Sequence, residues 1–175
     1  MHPFHKTIGD MFDGIFAQEP GYQVLKDTAC GGDHTLPLFR TRDKSSKNRY
    51  CLVDLMVLKN DRTKDLKHGR IKVMVEIEES NIKPVHLFGK FLASALSNYY
   101  IYKAESIGKD ENIAFIQIYD PKKLKGEGRV KKQQARNIEE SVRELLPVGG
   151  ISEYHLIVAE GVELEREIRK IVKNI

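Results

Sequence analysis

Two apolar segments of strand length constrain this chain most, because both carry acids where a core strand should avoid them. Residues 51–59 read CLVDLMVLK, with Asp54 in the interior. Residues 70–78 read RIKVMVEIE, with Glu76 and Glu78 near the end. In the second segment Val73, Val75 and Ile77 alternate onto one face, and Lys72, Met74, Glu76 and Glu78 onto the other. Polar, charged residues 60–69 lie between the two. They predict a turn or an elongated hairpin loop, and so an antiparallel pair.

The other elements follow from periodicity. Phe4, Ile8, Met11, Phe12, Ile15 and Phe16 have helical spacing, and Pro20-Gly21 ends that helix. Residues 22–28 read as a short strand. Residues 30–50 read as a loop containing Gly31-Gly32 and Pro37, long enough to suggest a functional segment. Ser80 or Asn81 is the expected cap of the next helix, with Pro84 in its first turn. Val85, Phe88, Leu92, Ala95, Leu96 and Tyr99 form its expected buried stripe. Lys83, His86, Lys90, Ser94 and Ser97 fall on a polar face. Residues 112–119 (NIAFIQIY) predict a strand and residues 130–146 a helix, broken by Pro147-Val148-Gly149-Gly150. A strand over 154–159 and an amphipathic helix over 162–175 complete the order α-β-β-β-α-β-α-β-α. This implies an α/β fold over residues 1–175 as a single domain, with a mixed sheet and helices on both faces.

The chain has 175 residues, 41% hydrophobic and 31% charged, which suits one soluble domain with a real core. No apolar run approaches the roughly 20 residues that cross a bilayer, so no membrane is expected as a partner. The first residues do not read as a signal peptide. Cys30 and Cys51 supply neither a disulfide framework nor a zinc motif, and a cytoplasmic location is the expectation.

Net charge is only +4, but its placement is uneven. Residues 40–49 hold five basic residues and one acid, residues 59–72 six and two, and residues 121–136 seven and one. The rest of the chain is therefore acidic. Basic loops on a negative remainder suggest a polyanionic partner, although a single such run is also what an ordinary solvated loop looks like.

Burying a lone carboxylate costs several kcal/mol, so such groups are normally paired or bound to a cation. Glu76 and Glu78 point the same way, and Asp54 facing them from the neighbouring strand would bring three carboxylates together. Hard oxygen ligands select Mg²⁺, or Mn²⁺ in its place. A metal so held suits phosphodiester hydrolysis, with basic loops around the phosphate backbone. The competing reading is a solvated strand end with Asp54 paired to a lysine.

Asp54 on one strand, Glu76-x-Glu78 on the next, and the helix–three strands–helix–strand order over residues 4–120 resemble the PD-(D/E)XK nuclease superfamily. The resemblance implies a restriction-endonuclease-like fold with core order α-β-β-β-α-β and metal-dependent cleavage of DNA. Asp54, Glu76 and Glu78 match the motif acids and the third motif position, and the carbonyl of Ile77 joins the metal set. Val53 stands where the family often has proline, and Glu78 where it has lysine. Lys90 from the following helix is the expected replacement, with Lys83 and His86 as alternatives. The resemblance thus implies Asp54, Glu76, Glu78 and Lys90 as catalytic and Asp54, Glu76, Ile77 and Glu78 around Mg²⁺ or Mn²⁺. Asp10 and Asp13 on the first helix and His34 in the long loop are further candidates.

A second class is a non-catalytic nucleic-acid-binding module that keeps the fold, motivated by Glu78 in place of lysine. A small-molecule α/β enzyme has little support, since Gly126-Glu127-Gly128 and Gly149-Gly150 lack phosphate-loop spacing. Cutting two strands of a palindrome would call for a homodimer, and Val162, Ile168, Ile171 and Val172 of the last helix are either its interface or core.

Overall fold

The Phe4-to-Phe16 periodicity becomes α1 (Pro3–Phe16), which buries Ile8, Phe12, Ile15 and Phe16. The computed structural model describes residues 3–60, 69–124 and 128–175. After α1 come β1 (Tyr22–Lys26), β2 (Leu36–Phe39), β3 (Arg49–Val53), β4 (Leu55–Lys59), β5 (Arg70–Glu78) and α2 (Pro84–Leu96). Then follow β6 (Tyr99–Tyr102), β7 (Glu105–Tyr119), α3 (Gly128–Arg143), β8 (Ile151–Val158) and α4 (Gly161–Val172). The result is a mixed α/β fold with an open, mostly antiparallel sheet flanked by helices.

The sheet runs β1-β4-β5-β7-β6-β2-β3, with β8 also paired to β7. β5 and β7 are parallel, as are β7 and β8; the other pairs are antiparallel. Strand alternation sends side chains to two cores. Val73, Val75 and Ile77 pack with Phe12, Ile116, Leu164 and Ile168, so α1 and α4 cover one face. Met74, Phe115 and Tyr154 pack with Leu87, Phe91, Ile138 and Val142, so α2 and α3 cover the other. Complete burial of each large apolar side chain contributes about 1.5–3 kcal/mol.

Several expectations change. The long loop contains β2 and a 3-10 turn at Ser46–Asn48. Pro37 hid this strand; it stands opposite Leu52 of β3 and outside the stretch paired to β6. The expected strand over 51–59 is two strands separated by Asp54 alone. Tyr99, expected on the helix stripe, instead opens β6, and residues 100–111, left between elements, complete β6 and form the first half of β7. Their hairpin turn sets Lys103 at φ 53° without the glycine or asparagine that normally signals such a turn.

α2 is rotated from the expected stripe. Leu87, Phe91, Ser94 and Ala95 are buried, while Val85, Leu92 and Leu96 are exposed. Its N-cap is Lys83 without a side-chain cap bond, and Ser80 Oγ instead donates to Glu78 Oε2 at 2.9 Å. In α4, Leu164, Ile168 and Ile171 are core and Val162 is exposed. The charged segment 61–68 lies outside the described residues. Among the described residues, no helix is long and apolar enough to cross a membrane.

The rotation of α2 is fixed partly by Lys109 of β7. Its Nζ donates to the carbonyls of Ser94 (2.7 Å), Ala95 (2.9 Å) and Gly149 (2.9 Å). Two of these are orphan acceptors at the helix C-terminus, where a cation is favourable. Lys109→Met keeps the stem and removes the donors. It is expected to lower unfolding stability by about 1–3 kcal/mol, read as a lower denaturant midpoint at unchanged slope.

Candidate active site

Asp54 sits where the chain leaves β5 for β2. Leu55 is paired with Val75, whereas Val53 is paired with Leu36. Backbone bonds pin this corner. Asp54 N–H donates to the Val75 carbonyl (3.1 Å), and Asp27 N–H donates to the Asp54 carbonyl (2.9 Å). The loop behind it is tight: Gly32 N–H donates to the Asp27 carbonyl, and a Cβ on Gly32 would lie 1.8 Å from the Lys26 carbonyl oxygen. Only glycine fits there.

Val75 turns its backbone groups toward β4, so Ile77, two residues on, does the same. The β4 ladder ends at Val75. Asp54 supplies what the ladder lacks: its Oδ2 accepts the Ile77 N–H at 2.7 Å. The Ile77 carbonyl shares that edge. Oδ1 of Asp54 faces His5 Nε2 at 3.9 Å, and His5 Nδ1 lies 2.9 Å from Glu79 Oε1. Burial raises the Asp54 pKa, against the Ile77 N–H, Lys90 and His5, which lower it.

Glu76 is 2% exposed, on the α2 face of the sheet beside Met74. Lys90 reaches down from α2, with Nζ 2.8 Å from Glu76 Oε2 and 2.5 Å from Glu78 Oε1. Oε1 of Glu76 is buried and has no hydrogen-bond partner among the described residues. Burial drives the Glu76 carboxyl up to about 8, with Lys90 opposing and Asp54 adding to the rise. Burial also pushes Glu78 upward, but Lys90 and Ser80 outweigh it and hold Glu78 below the usual carboxylate range. Burial pulls Lys90 down, yet Glu76 and Glu78 lift it above an ordinary lysine. Lys90 and Glu78 are therefore the charged pair, and Glu76 is the acid poised to take up a proton or a cation.

The expected convergence of three carboxylates does not occur. Glu78 is turned to Lys90 and Ser80. Among the described residues, no group of three or more His, Cys, Asp or Glu side chains has the spacing of a metal cluster. Asp54 and Glu76 remain, close enough that the Asp54 charge helps to raise the Glu76 pKa. Lys90 is at the site; Lys83 is the exposed α2 cap, and exposed His86 acts on Glu78 only through its charge. Asp10 pairs with Lys6 and Asp13 with Lys26 on the outer side of α1. His34 is engaged with Asp33, with the Tyr100 hydroxyl at 2.7 Å and with the ring of Tyr102.

Two residues at the site were not among the sequence candidates. His5 shares the inward stripe of α1 with Ile8 and Phe12, and that spacing was the available signal. Gln117 is a fully buried amide beside Glu76 in the β5–β7 register. It accepts from the Tyr154 hydroxyl and donates to the Leu87 carbonyl at 3.5 Å. It stood out as the one amide in the apolar segment AFIQIY.

Among the described residues, the basic runs do not encircle the site. Residues 121–136 begin beside it, since Asp120 N–H donates to the Glu78 carbonyl at 3.0 Å. Residues 40–49 lie by the C-terminal end of α2, where Asn98 Nδ2 donates to the Arg40 carbonyl at 3.0 Å. Lys59 and Arg70 pair at the end of β5 opposite Glu78.

The chain matches no protein-family model, no curated protein and no solved structure.

The raised Glu76 pKa makes stability depend on pH. The folded protein holds a proton between the ordinary 4.5 and about 8 that the unfolded chain releases. This contribution is full below 4.5 and is lost as pH rises to about 8. Thermal melts between pH 5 and 9 are expected to show wild type losing stability across that window and Glu76→Gln losing much less. Parallel slopes for the two proteins would show that Glu76 titrates normally.

Proposed function

We propose that this protein is a divalent-metal-dependent endonuclease acting on DNA, with a restriction-endonuclease-like core. The observation that carries the reading is Lys90. It enters from the helix after the acidic strand and sets its ammonium between Glu76 and Glu78, where the motif lysine would stand. The order α1, β1, β4, β5, α2, β7 supports the same reading. It gives three antiparallel strands, then a helix, then a strand parallel to the acidic one. On this reading β2, β3 and β6 are insertions.

Asp54, Glu76 and the Ile77 carbonyl fit a Mg²⁺ or Mn²⁺ ion. The unpartnered Glu76 Oε1 is the sign of that fit, because a buried carboxylate oxygen left alone is costly. Two carboxylates with water suffice for Mg²⁺. When bound, such an ion polarises a phosphoryl oxygen and lowers the pKa of an attacking water. Glu78 holds Lys90 in place, Lys90 neutralises charge developing on the phosphate, and His5 stands behind Asp54.

A non-catalytic DNA-binding module is the second reading. The ion pair of Lys90 with Glu78 and Glu76 favours it, since it satisfies much of the pocket without a cation.

Supercoiled plasmid incubated with Mn²⁺ is expected to be nicked by wild type. Asp54→Ala and Lys90→Ala should slow nicking by about 10²–10³-fold, with Asp54→Ala also losing the calorimetric heat of Mn²⁺ binding. DNA binding without nicking or Mn²⁺ heat would favour the second reading. Equal nicking by wild type and Asp54→Ala would sink the first.

A further inference from the structure

The pocket contains its own cation. Lys90 sits within hydrogen-bond distance of both glutamates, and Oε1 of Glu76, a side chain 2% exposed, has no partner among the described residues. A divalent ion entering beside Asp54 needs the same Glu76 carboxylate that Lys90 grips. We propose that Lys90 is the resident counter-ion of this pocket and sets its divalent-cation affinity by competing for Glu76, with Glu78 as the post to which it retreats. The inference rests on the nuclease reading for the existence of the cation site, and concerns what regulates it.

The geometry gives the competition its direction. Lys90 holds only Oε2 of Glu76, so an incoming ion meets Oε1 free and Oε2 shared. Electrostatic repulsion from an ammonium scales with the charge of the incomer. Removing Lys90 also makes a proton bind Glu76 more tightly. Yet the divalent ion is relieved of twice the repulsion that the proton is, so the ion gains on balance. Glu78 works in the opposite sense. It keeps the ammonium charged and offers it a second acceptor, so Lys90 leaves Glu76 without leaving the pocket. Without Glu78, the whole of Lys90's interaction falls on Glu76. A lysine kept at the pocket edge by Glu78 is then free to face a phosphate once the ion is in place.

Isothermal titration of the full chain with MnCl₂, with no DNA present, tests this apart from activity. Lys90→Met is expected to tighten Mn²⁺ binding by about tenfold or more. Glu78→Gln is expected to weaken it several-fold, and Lys90→Met/Glu78→Gln to restore tight binding. Circular dichroism checks that each variant is folded, and Lys90→Gln serves in place of Lys90→Met should that one unfold. Unchanged or weaker binding by the lysine variants, beside a wild type that binds Mn²⁺, would overturn the competition and leave the nuclease reading standing. No Mn²⁺ binding by wild type or any lysine variant would overturn both. Binding that appears only once Lys90 is removed supports the competition in its strongest form.

Discussion

A single carboxylate stands in for a missing strand. Where β3 departs from β5, the edge of β5 keeps backbone groups that need partners, and Asp54 Oδ2 meets the first of them, the Ile77 N–H. That bond makes the corner between β3 and β4 stable in the middle of an apolar sheet. It also fixes an acid beside the acidic end of β5. Had the chain continued straight along β5, the ladder would have filled this edge and left no notch. The functional reading and the bend in the sheet therefore share one physical cause.

Charge balance accounts for much of the rest. Glu76 is buried deeply enough to be driven toward neutrality, and Lys90 holds it against that tendency only in part. A buried charge pair is weak support for stability, and in some proteins its role is to fix one arrangement. Here the arrangement decides how α2 docks. Lys90 on the acids at mid-helix and Lys109 on the terminal carbonyls set the rotation of the helix. As a result two serines face inward, and Val85, Leu92 and Leu96 face solvent. The apolar stripe read from the sequence overlaps the buried face only at Phe88 and Ala95. Each polar contact offsets about one apolar side chain, because leaving a buried donor or acceptor unpaired costs about as much as burying a leucine gains.

The layers around the site divide the labour. α1 brings His5 to the Asp54 side of the notch, while α2 brings Lys90 to the Glu76 side. β7 lies between β5 and β8 and sets Gln117 and Tyr119 beside the two glutamates in register. Its end carries the chain directly from Tyr119 into the basic run over 121–136. The parallel β5–β7–β8 group thus opens the acidic pocket and a positive segment at one end of the sheet, which is where open α/β sheets commonly place their sites.

The sequence alone determined the elements whose periodicity is strong: α1, β5, the latter half of β7, α3 and α4. Acids within and at the end of apolar strands singled out Asp54, Glu76 and Glu78, and the family resemblance named Lys90; the structure brings Lys90 to Glu76 and Glu78. Only the tertiary structure decided that residues 51–59 break at Asp54, that LPLF and YYIY are strands, and that Glu78 turns to Lys90 while Glu76 keeps a lone oxygen. The reason is that local pattern records which face a residue prefers, one element at a time. Which strand pairs with which, and which acid meets Lys90, depend on contacts between segments far apart in the chain, and those energies are of the same size as the local preferences they override.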